Sequence, residues 1–317
     1  MKERILVTGC AGFIGGHILR RLLADGVDVV GVDDFSTGLR ENIADLEGRF
    51  HFVEGTLCDL DVCRRALEGV TSIIHQASIP SVPRSIDNPL ASLHSSITAT
   101  VTLLSVAKDS GVRRFVQASS SSVYGDTETF PNVETTLPRP LSPYAVAKLA
   151  QEGYAYAFSR TYGIETISLR YFNVFGPRQN PKSEYAAVIP KFITLMLSGQ
   201  QPTIFGDGEQ CRDFTYIDNV VEANLTAIRH PGIFRGEVVN TARGDTMTLN
   251  ELLSHLNVIL GTDIRPFHAP ARAGDIRRSQ ADVSRAERLL GFQAKIDAKE
   301  GLCRTVEYYR NLVVGHN

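Results

Sequence analysis

No excess of charge of either sign runs through this chain. The formal net charge is −2, which gives no reason to expect nucleic acid or an anionic membrane surface as a partner. No apolar run approaches the roughly 20 residues of a membrane-spanning helix. The five cysteines (Cys10, Cys58, Cys63, Cys211, Cys303) are scattered and odd in number. No pair of them has metal-site spacing, so no metal is expected, and a reducing cytoplasm is the simplest setting. Met1-Lys2-Glu3-Arg4 leads straight into a short apolar run, with no signal-peptide pattern behind it. Internal repeats and low-complexity tracts are also absent.

What remains is an ordinary soluble composition, 43% apolar and 21% charged over 317 residues, long enough for one large or two modest domains. In the first half, short apolar runs alternate with helical patterns, which predicts βαβ units and a parallel sheet. Residues 5–7, 27–32, 50–53, 72–75, 115–118 and 166–169 read as buried strands. Residues 13–23, 90–110 and 142–162 read as helices. The rhythm loosens after Gly176, where Pro177, Pro181, Pro190 and Pro202 and the turn Gly206-Asp207-Gly208 follow. The expected division is a dinucleotide-binding unit over 1–175, joined by about 214–240, and a smaller mixed unit over 176–213 and 241–317. Residues 237–240 are strand-like and are expected to return to the first sheet. The tail has helical patterns at 249–260 and 284–290.

Gly9, Gly12 and Gly15 sit where the first strand turns into a helix. Glycine there permits a tight turn and close approach to a pyrophosphate, and the helix amino terminus offers unpaired N–H groups. Asp33 lies at the end of the second strand, where an acid binds the ribose hydroxyls and repels a 2′-phosphate. NAD is therefore expected over NADP. A glycine triplet alone is weak evidence; strand, helix and acid in register are stronger. Asp59 ends another strand–turn region and either reaches the adenine edge or is a solvated turn aspartate.

Ser142 suits a helix N-cap, and Pro143 the first helical position. Tyr144 then lies in the first turn, with Lys148 one turn on, on the same face. Spacing alone does not separate this from an amphipathic helix with an exposed lysine. The strand over 115–118 changes the balance, because it runs into Ser119-Ser120-Ser121-Ser122, and strand carboxyl ends converge at the site of a doubly wound sheet. A serine hydroxyl there can hydrogen-bond the reacting oxygen.

Thr8-Gly9-x-x-Gly12-x-x-Gly15, Asp33, Ser120 and Tyr144-x-x-x-Lys148 together resemble an extended short-chain dehydrogenase/reductase. Phe172-Asn173-x-Phe175-Gly176-Pro177, Gly206-Asp207-Gly208, Arg212-Asp213-Phe214 and Ala271-Arg272-Ala273-Gly274-Asp275 carry the likeness through nearly the whole chain, toward nucleotide-sugar epimerases and dehydratases. The resemblance implies an α/β Rossmann-type doubly wound sheet with a smaller mixed α/β substrate-binding domain. It implies Tyr144, Lys148 and Ser120 as catalytic residues. It implies NAD contacts from Gly9, Gly12, Phe13, Ile14, Gly15, Asp33, Asp34, Ser36, Thr37, Gly38, Asp59, Leu60, Gln76, Ala77, Ser119, Tyr144, Lys148 and Tyr171. On the substrate side it implies Asn173, Arg212 and Arg272 for the diphosphate, Asp275 for the uridine ribose and Phe205 for the uracil. Ser81, Ser120, Ser121, Tyr144, Val188 and Ser279 are implied around the sugar.

One departure is informative. The 4,6-dehydratases carry Asp-Glu at the positions of Ser121-Ser122, and related decarboxylases also place an acid there. Hydroxyls alone leave reversible oxidation at C4, which means epimerisation. Ser81-Val82-Pro83-Arg84-Ser85, the run 184–190 and Gly274-Asp275-Ile276-Arg277-Arg278-Ser279 look most like UDP-N-acetylglucosamine 4-epimerases. UDP-glucose and UDP-glucuronate 4-epimerases are the alternative, and a catalytically inactive NAD-binding regulator is a reading of another class. The helices over 90–110 and 145–162 carry small and apolar residues on more than one face (Ala99, Val101, Leu103, Leu104; Ala147, Ala150, Ala155, Ala157). A helix of that kind buries more than one face, and family members pair these helices, so a homodimer is expected.

Overall fold

The computed structural model describes residues 3–127, 129–181, 187–271 and 277–314, the side chains of 313 and 314 excepted. Its centre is a seven-stranded sheet built from β1 (Arg4–Thr8), β2 (Asp28–Asp33), β3 (His51–Glu54), β4 (Ser72–His75), β5 (Arg114–Ser120), β6 (Glu165–Tyr171) and β11 (Glu237–Thr241). Every pairing in it is parallel. The spatial order β3-β2-β1-β4-β5-β6-β11 reverses direction between β1 and β4. This is a Rossmann-type doubly wound sheet. Residues 237–241 do return to the sheet, as the outer neighbour of β6.

Strand residues alternate between two buried faces, as a parallel sheet covered on both sides requires. Ile5 and Val7 enter one apolar core and Leu6 the other. Helix α1 (Phe13–Ala24) packs on α8 (Ile217–Arg229) on the first face. Helices α2 (Leu60–Ala66), α3 (Val82–Asp87), α4 (Pro89–Ser92), α5 (Ala99–Ala107) and α6 (Pro143–Tyr162) adjoin one another on the other side.

Helices α4 and α5 are continuous through a π-helical stretch at Leu93–Thr98. The resulting helix, Pro89–Ala107, is long and apolar enough by length and composition to cross a membrane, which corrects the expectation that no stretch comes near that. It lies against α2 and α6, with Leu103 and Leu104 fully buried in the core.

The second half builds smaller pieces. β7 (Val174–Phe175) pairs with β10 (Thr215–Tyr216), and β8 (Thr203–Phe205) with β13 (Phe267–Ala269). β9 (Cys211–Arg212) lies between β12 (Met247–Thr248) and β14 (Arg278–Ser279). Helices α7 (Val188–Leu197), α9 (Leu249–Leu260), α10 (Ser284–Leu290) and α11 (Ala298–Val314) complete this part. Helix α9 begins with a capping box, Thr248 with Glu251.

Candidate active site

The crevice at the carboxyl ends of β1 and β4 opens into a cavity of about 640 Å³, at the place where the strand order reverses and doubly wound folds bind ligands. Its floor is the glycine turn. Gly9 has φ +65°, and its N–H donates to Val32 O at 2.8 Å. A Cβ on Gly15 would stand 2.1 Å from Gly9 O, and one on Gly9 would stand 2.9 Å from the backbone N of Ala77. The turn is therefore folded against itself and against the chain after β4. Gly12 caps α1 without a side-chain hydrogen bond, and Gly12, Phe13, Ile14 and Gly15 line the cavity. The helix end thus presents N–H donors and its positive dipole end to an anion.

The two walls are locked together underneath. The Thr8 hydroxyl accepts the N–H groups of Gln76 and Ala77, both at 3.1 Å. Its proton then goes to Nδ1 of His75, 2.8 Å away, and His75 Nε2 donates to Thr100 Oγ1 at 2.9 Å. Burial holds His75 neutral, with its pKa down to about 3. Asp33 closes the β2 side. Its two oxygens accept the N–H groups of Ala11 (2.9 Å) and Phe35 (2.8 Å). Burial raises its pKa, and those two N–H groups oppose the rise. Asp34, Ser36, Thr37 and Gly38 line the same side. This cradle leaves no room for a side chain at Gly9 or Gly15 and sets a fixed carboxylate beside a helix amino terminus, which fits a dinucleotide.

The reacting corner comes from α6 and the end of β5. The Ser142 hydroxyl caps α6 by accepting Ala145 N–H at 3.2 Å, and Pro143 opens it. Tyr144 and Lys148 reach the cavity from the first two turns. Lys148 Nζ donates to Ala118 O at 3.0 Å and lies 5.9 Å from the Tyr144 ring centre. Burial lowers the Lys148 pKa to about 8, against the pull of Glu152. Burial raises that of Tyr144, and Ser120 opposes the rise. Ser120 Oγ accepts the Ser122 N–H at 3.2 Å and the Ser122 hydroxyl at 2.9 Å. Its own proton goes toward Tyr144, the hydrogen bond that opposes the rise in the phenol pKa.

Gln76, Ala77, Ser81, Ser119, Tyr171 and Asn173 also line the cavity as expected from the sequence. The Tyr171 hydroxyl sits among Gln76 and Asn224, and burial raises its pKa. Seven expected contacts lie off this wall. Asp59 is the cap of α2, its Oδ1 accepting Asp61 N–H at 2.7 Å, and Leu60 opens that helix. Thr56 and Leu57 stand on the cavity wall in their place. Ser121 begins the short turn Ser121–Tyr124. Val188 opens α7, one residue after the lining residue Ala187. Phe205 ends β8. Arg212 and Ser279 face each other in register on β9 and β14. Arg272 and Asp275 lie outside the described residues.

Several wall residues stood outside the expected set. Ser78 and Pro80 follow β4, and Arg178, Gln179 and Asn180 follow β7; the rule that sites form at strand carboxyl ends would have flagged both loops. Arg84, in the quoted segment 81–85, lines the wall from α3. Among the described residues, the non-glycines with positive φ are Phe35, Asn173 and Arg178, and all three line this cavity. Such backbone settings cluster at functional sites. Asp213 was quoted only as part of a motif. It is fully buried, accepts the N–H groups of Arg243, Gly244 and Ala281 at 3.2, 3.0 and 3.2 Å, and so ties the β9 and β14 segments together. Burial pushes its pKa up to about 7.

Residues 5–242 match the model of the NAD dependent epimerase/dehydratase family. The chain is 38% identical to the UDP-glucose 4-epimerase of Mycolicibacterium smegmatis, over 97% of its own length and 99% of that protein. Its fold superposes on the Thermotoga maritima UDP-glucose 4-epimerase solved with UDP-glucose, with a TM-score of 0.93 and 39% identity over 98% of this chain and 99% of that one. The UDP-N-acetylglucosamine 4-epimerase of Methanobrevibacter ruminantium, solved with UDP-N-acetylmuramic acid, gives a TM-score of 0.93 at 36% identity, over 98% and 100%. With the glycine turn, Asp33 and the Tyr144–Lys148 pair in one cavity, and with likeness of this extent, the chain belongs to the NAD-dependent epimerase/dehydratase family.

Proposed function

We propose that this protein is a UDP-hexose 4-epimerase, and that it interconverts UDP-N-acetylglucosamine and UDP-N-acetylgalactosamine. The observation that carries the reaction class is the set of groups at the reacting corner. Tyr144, Lys148 and Ser120 meet there, while the next two positions hold hydroxyls. One acid–base group serves reversible oxidation at a single carbon; eliminating water or CO2 asks for another.

NAD, when bound in the cradle, supplies the hydride acceptor. The chain supplies everything else. Tyr144 takes the proton of the sugar 4-hydroxyl and later returns it. A free tyrosine, with a pKa near ~10, is a poor base at pH 7, and burial alone would make it poorer. The Lys148 ammonium beside it is the group that favours the phenolate. Ser120, which reaches Tyr144 by a hydrogen bond, donates its hydroxyl proton to the same substrate oxygen. Inversion requires the sugar to present either face while the nucleotide stays held. A wall of short side chains such as Ser78, Ser81 and Ala187 suits that requirement.

The acetylated substrate rests on Ser279. Ser279 stands beside Arg212, off the lining of the cavity; it is by resemblance alone that this position faces the sugar, where a tyrosine would fill the space an N-acetyl group needs. Arg84 on the cavity wall favours a second reading, UDP-glucuronate, because a guanidinium suits a C6 carboxylate. The test is 4-epimer formation followed by NMR on UDP-N-acetylglucosamine, UDP-glucose and UDP-glucuronate, with wild type and Ser279→Tyr. Wild type is expected to turn over the acetylated pair. Overpacking by tyrosine should suppress that pair roughly 10-fold more than the plain pair. Equal losses, or a wild type that ignores acetylated sugars, would reject the substrate. UDP-sugar binding without turnover of any of them would favour the regulator instead.

A further inference from the structure

Behind the reacting corner lies an ion pair that no proton-transfer step touches. Glu152 stands one turn beyond Lys148 on α6, and Arg170 is on β6, next to Tyr171. Their side chains are 6% and 4% exposed. Arg170 Nε and Nη2 donate to Glu152 Oε1 and Oε2 at 2.8 and 2.7 Å, a bidentate clasp. The Ser119 hydroxyl donates to Oε1 at 2.5 Å. On its other face the guanidinium lies 4.7 Å over the Tyr124 ring.

Removing two charges from water costs several kcal/mol per ion, and an apolar pair of the same volume is often as stable or more so. Stability is therefore a weak reason for this pair to exist. Its surroundings offer a better one. Lys148 is 3% exposed, and the hydrogen bond from its Nζ goes to the neutral acceptor Ala118 O. Tyr144 and Glu152 stand one turn before and one turn after Lys148 on the same face of α6, Glu152 beyond direct ion-pair distance of Nζ; His75 is on β4, and Arg170 on β6 stands behind Glu152. His75 is neutral. Of these groups only Glu152 is an anion whose charge does not come and go with the reaction. The Ser119 bond fixes that anion to the strand end that carries Ser120.

We propose that Glu152, clasped by Arg170, is a positioning residue: it is the counter-ion that keeps the Lys148 ammonium charged, and it holds the Ser119–Ser120 strand end against α6. Its effect on turnover rests on the epimerase reading; its effect on Lys148 does not.

Two variants separate charge from packing. Glu152→Gln keeps size and an acceptor for Ser119 but leaves Arg170 unpaired. Glu152→Gln combined with Arg170→Met removes both charges, and it carries the test if the single variant does not fold. The first readout is the pH titration of Lys148 in NAD-loaded protein containing lysine labelled with 13C at Cε, assigned by its loss in Lys148→Met. The midpoint should fall by about one pH unit or more in Glu152→Gln, because an opposing charge has been lost. It should fall by less in the double variant, where the unpaired guanidinium is gone as well. The second readout is the pH profile of UDP-hexose turnover, whose alkaline fall should move with the lysine midpoint. A midpoint unmoved in the variants, or lowered equally in both, overturns the counter-ion role. A moved midpoint with an unmoved rate profile overturns its part in turnover. If no UDP-sugar reacts at all, the lysine titration still decides the charge.

Discussion

Tyr144 and Lys148 work as one unit, because neither has a useful ionisation state alone. Burial drives the phenol away from ionising and pulls the ammonium down to about 8. The two shifts oppose ionisation of both groups, and each group, once charged, relieves the other. Tyr144→Phe removes the proton acceptor while keeping the ring. Turnover should fall at least ~100-fold, the low end for a positioned acid–base group, with circular dichroism and UDP-sugar binding unchanged. Near-normal turnover would move the base elsewhere. This pair was legible in the sequence because its spacing is local: i and i+4 on a capped helix share a face. The residues that tune it were not. Glu152, whose charge opposes the fall in the Lys148 pKa, meets Arg170 from β6. No spacing along the chain announces partners that only the folded sheet brings together. Asp59 was open between an adenine contact and a turn aspartate, and in the fold its Oδ1 caps α2.

At the scale of elements, the sheet strands were legible to within a residue or two, because apolar runs bounded by turns leave little choice. Three kinds of element were not. The two-residue strands β7, β9, β10, β12 and β14 are too short to show a period. Helices α2 and α3, of 7 and 6 residues, are too short to show a helical period. Helix α8 was hidden by the composition shift after Gly176, although it packs on α1 beside the first sheet. The strand–turn–helix at the amino terminus is the element on which the cavity depends, and it invites a stringent test. A methyl group at position 15 would meet Gly9 O, a backbone atom, at 2.1 Å, and a Cβ has no torsion by which to move aside. Gly15→Ala must therefore push α1 away from the turn. It should cost about 1–3 kcal/mol of stability, the usual range for overpacking, and NAD should no longer co-purify. Denaturant melts and the nucleotide released from purified protein are the measurements. Wild-type NAD content in the variant would mean that the turn is not the cradle.

The whole molecule leaves an apolar surface that its own core does not use. Along the helix Pro89–Ala107, Leu103 and Leu104 are buried, but Leu90 is 66% exposed and Leu93 43%. Ile86, just before it, is 62% exposed, and on the neighbouring α6 Val146 and Tyr154 are 50% and 40% exposed. On α6 the outward positions Val146, Ala150, Gly153, Tyr154 and Ala157 recur at helical spacing, a single stripe opposite the face that holds Lys148 and Glu152. Small residues in such a stripe let two helices approach closely. A two-fold contact would pair this surface with the same surface of a second copy. The expected state is a homodimer through these helices, burying roughly the 1,200–2,000 Å² that stable interfaces need. Wild type should sediment as a dimer at micromolar concentration. Leu90→Glu sets like charges across the two-fold and should shift the boundary toward monomer, with the circular dichroism of the protomer unchanged because Leu90 contributes little to the core. A wild type that sediments as a monomer would leave the stripes without an occupant, and the dimer would have to be abandoned.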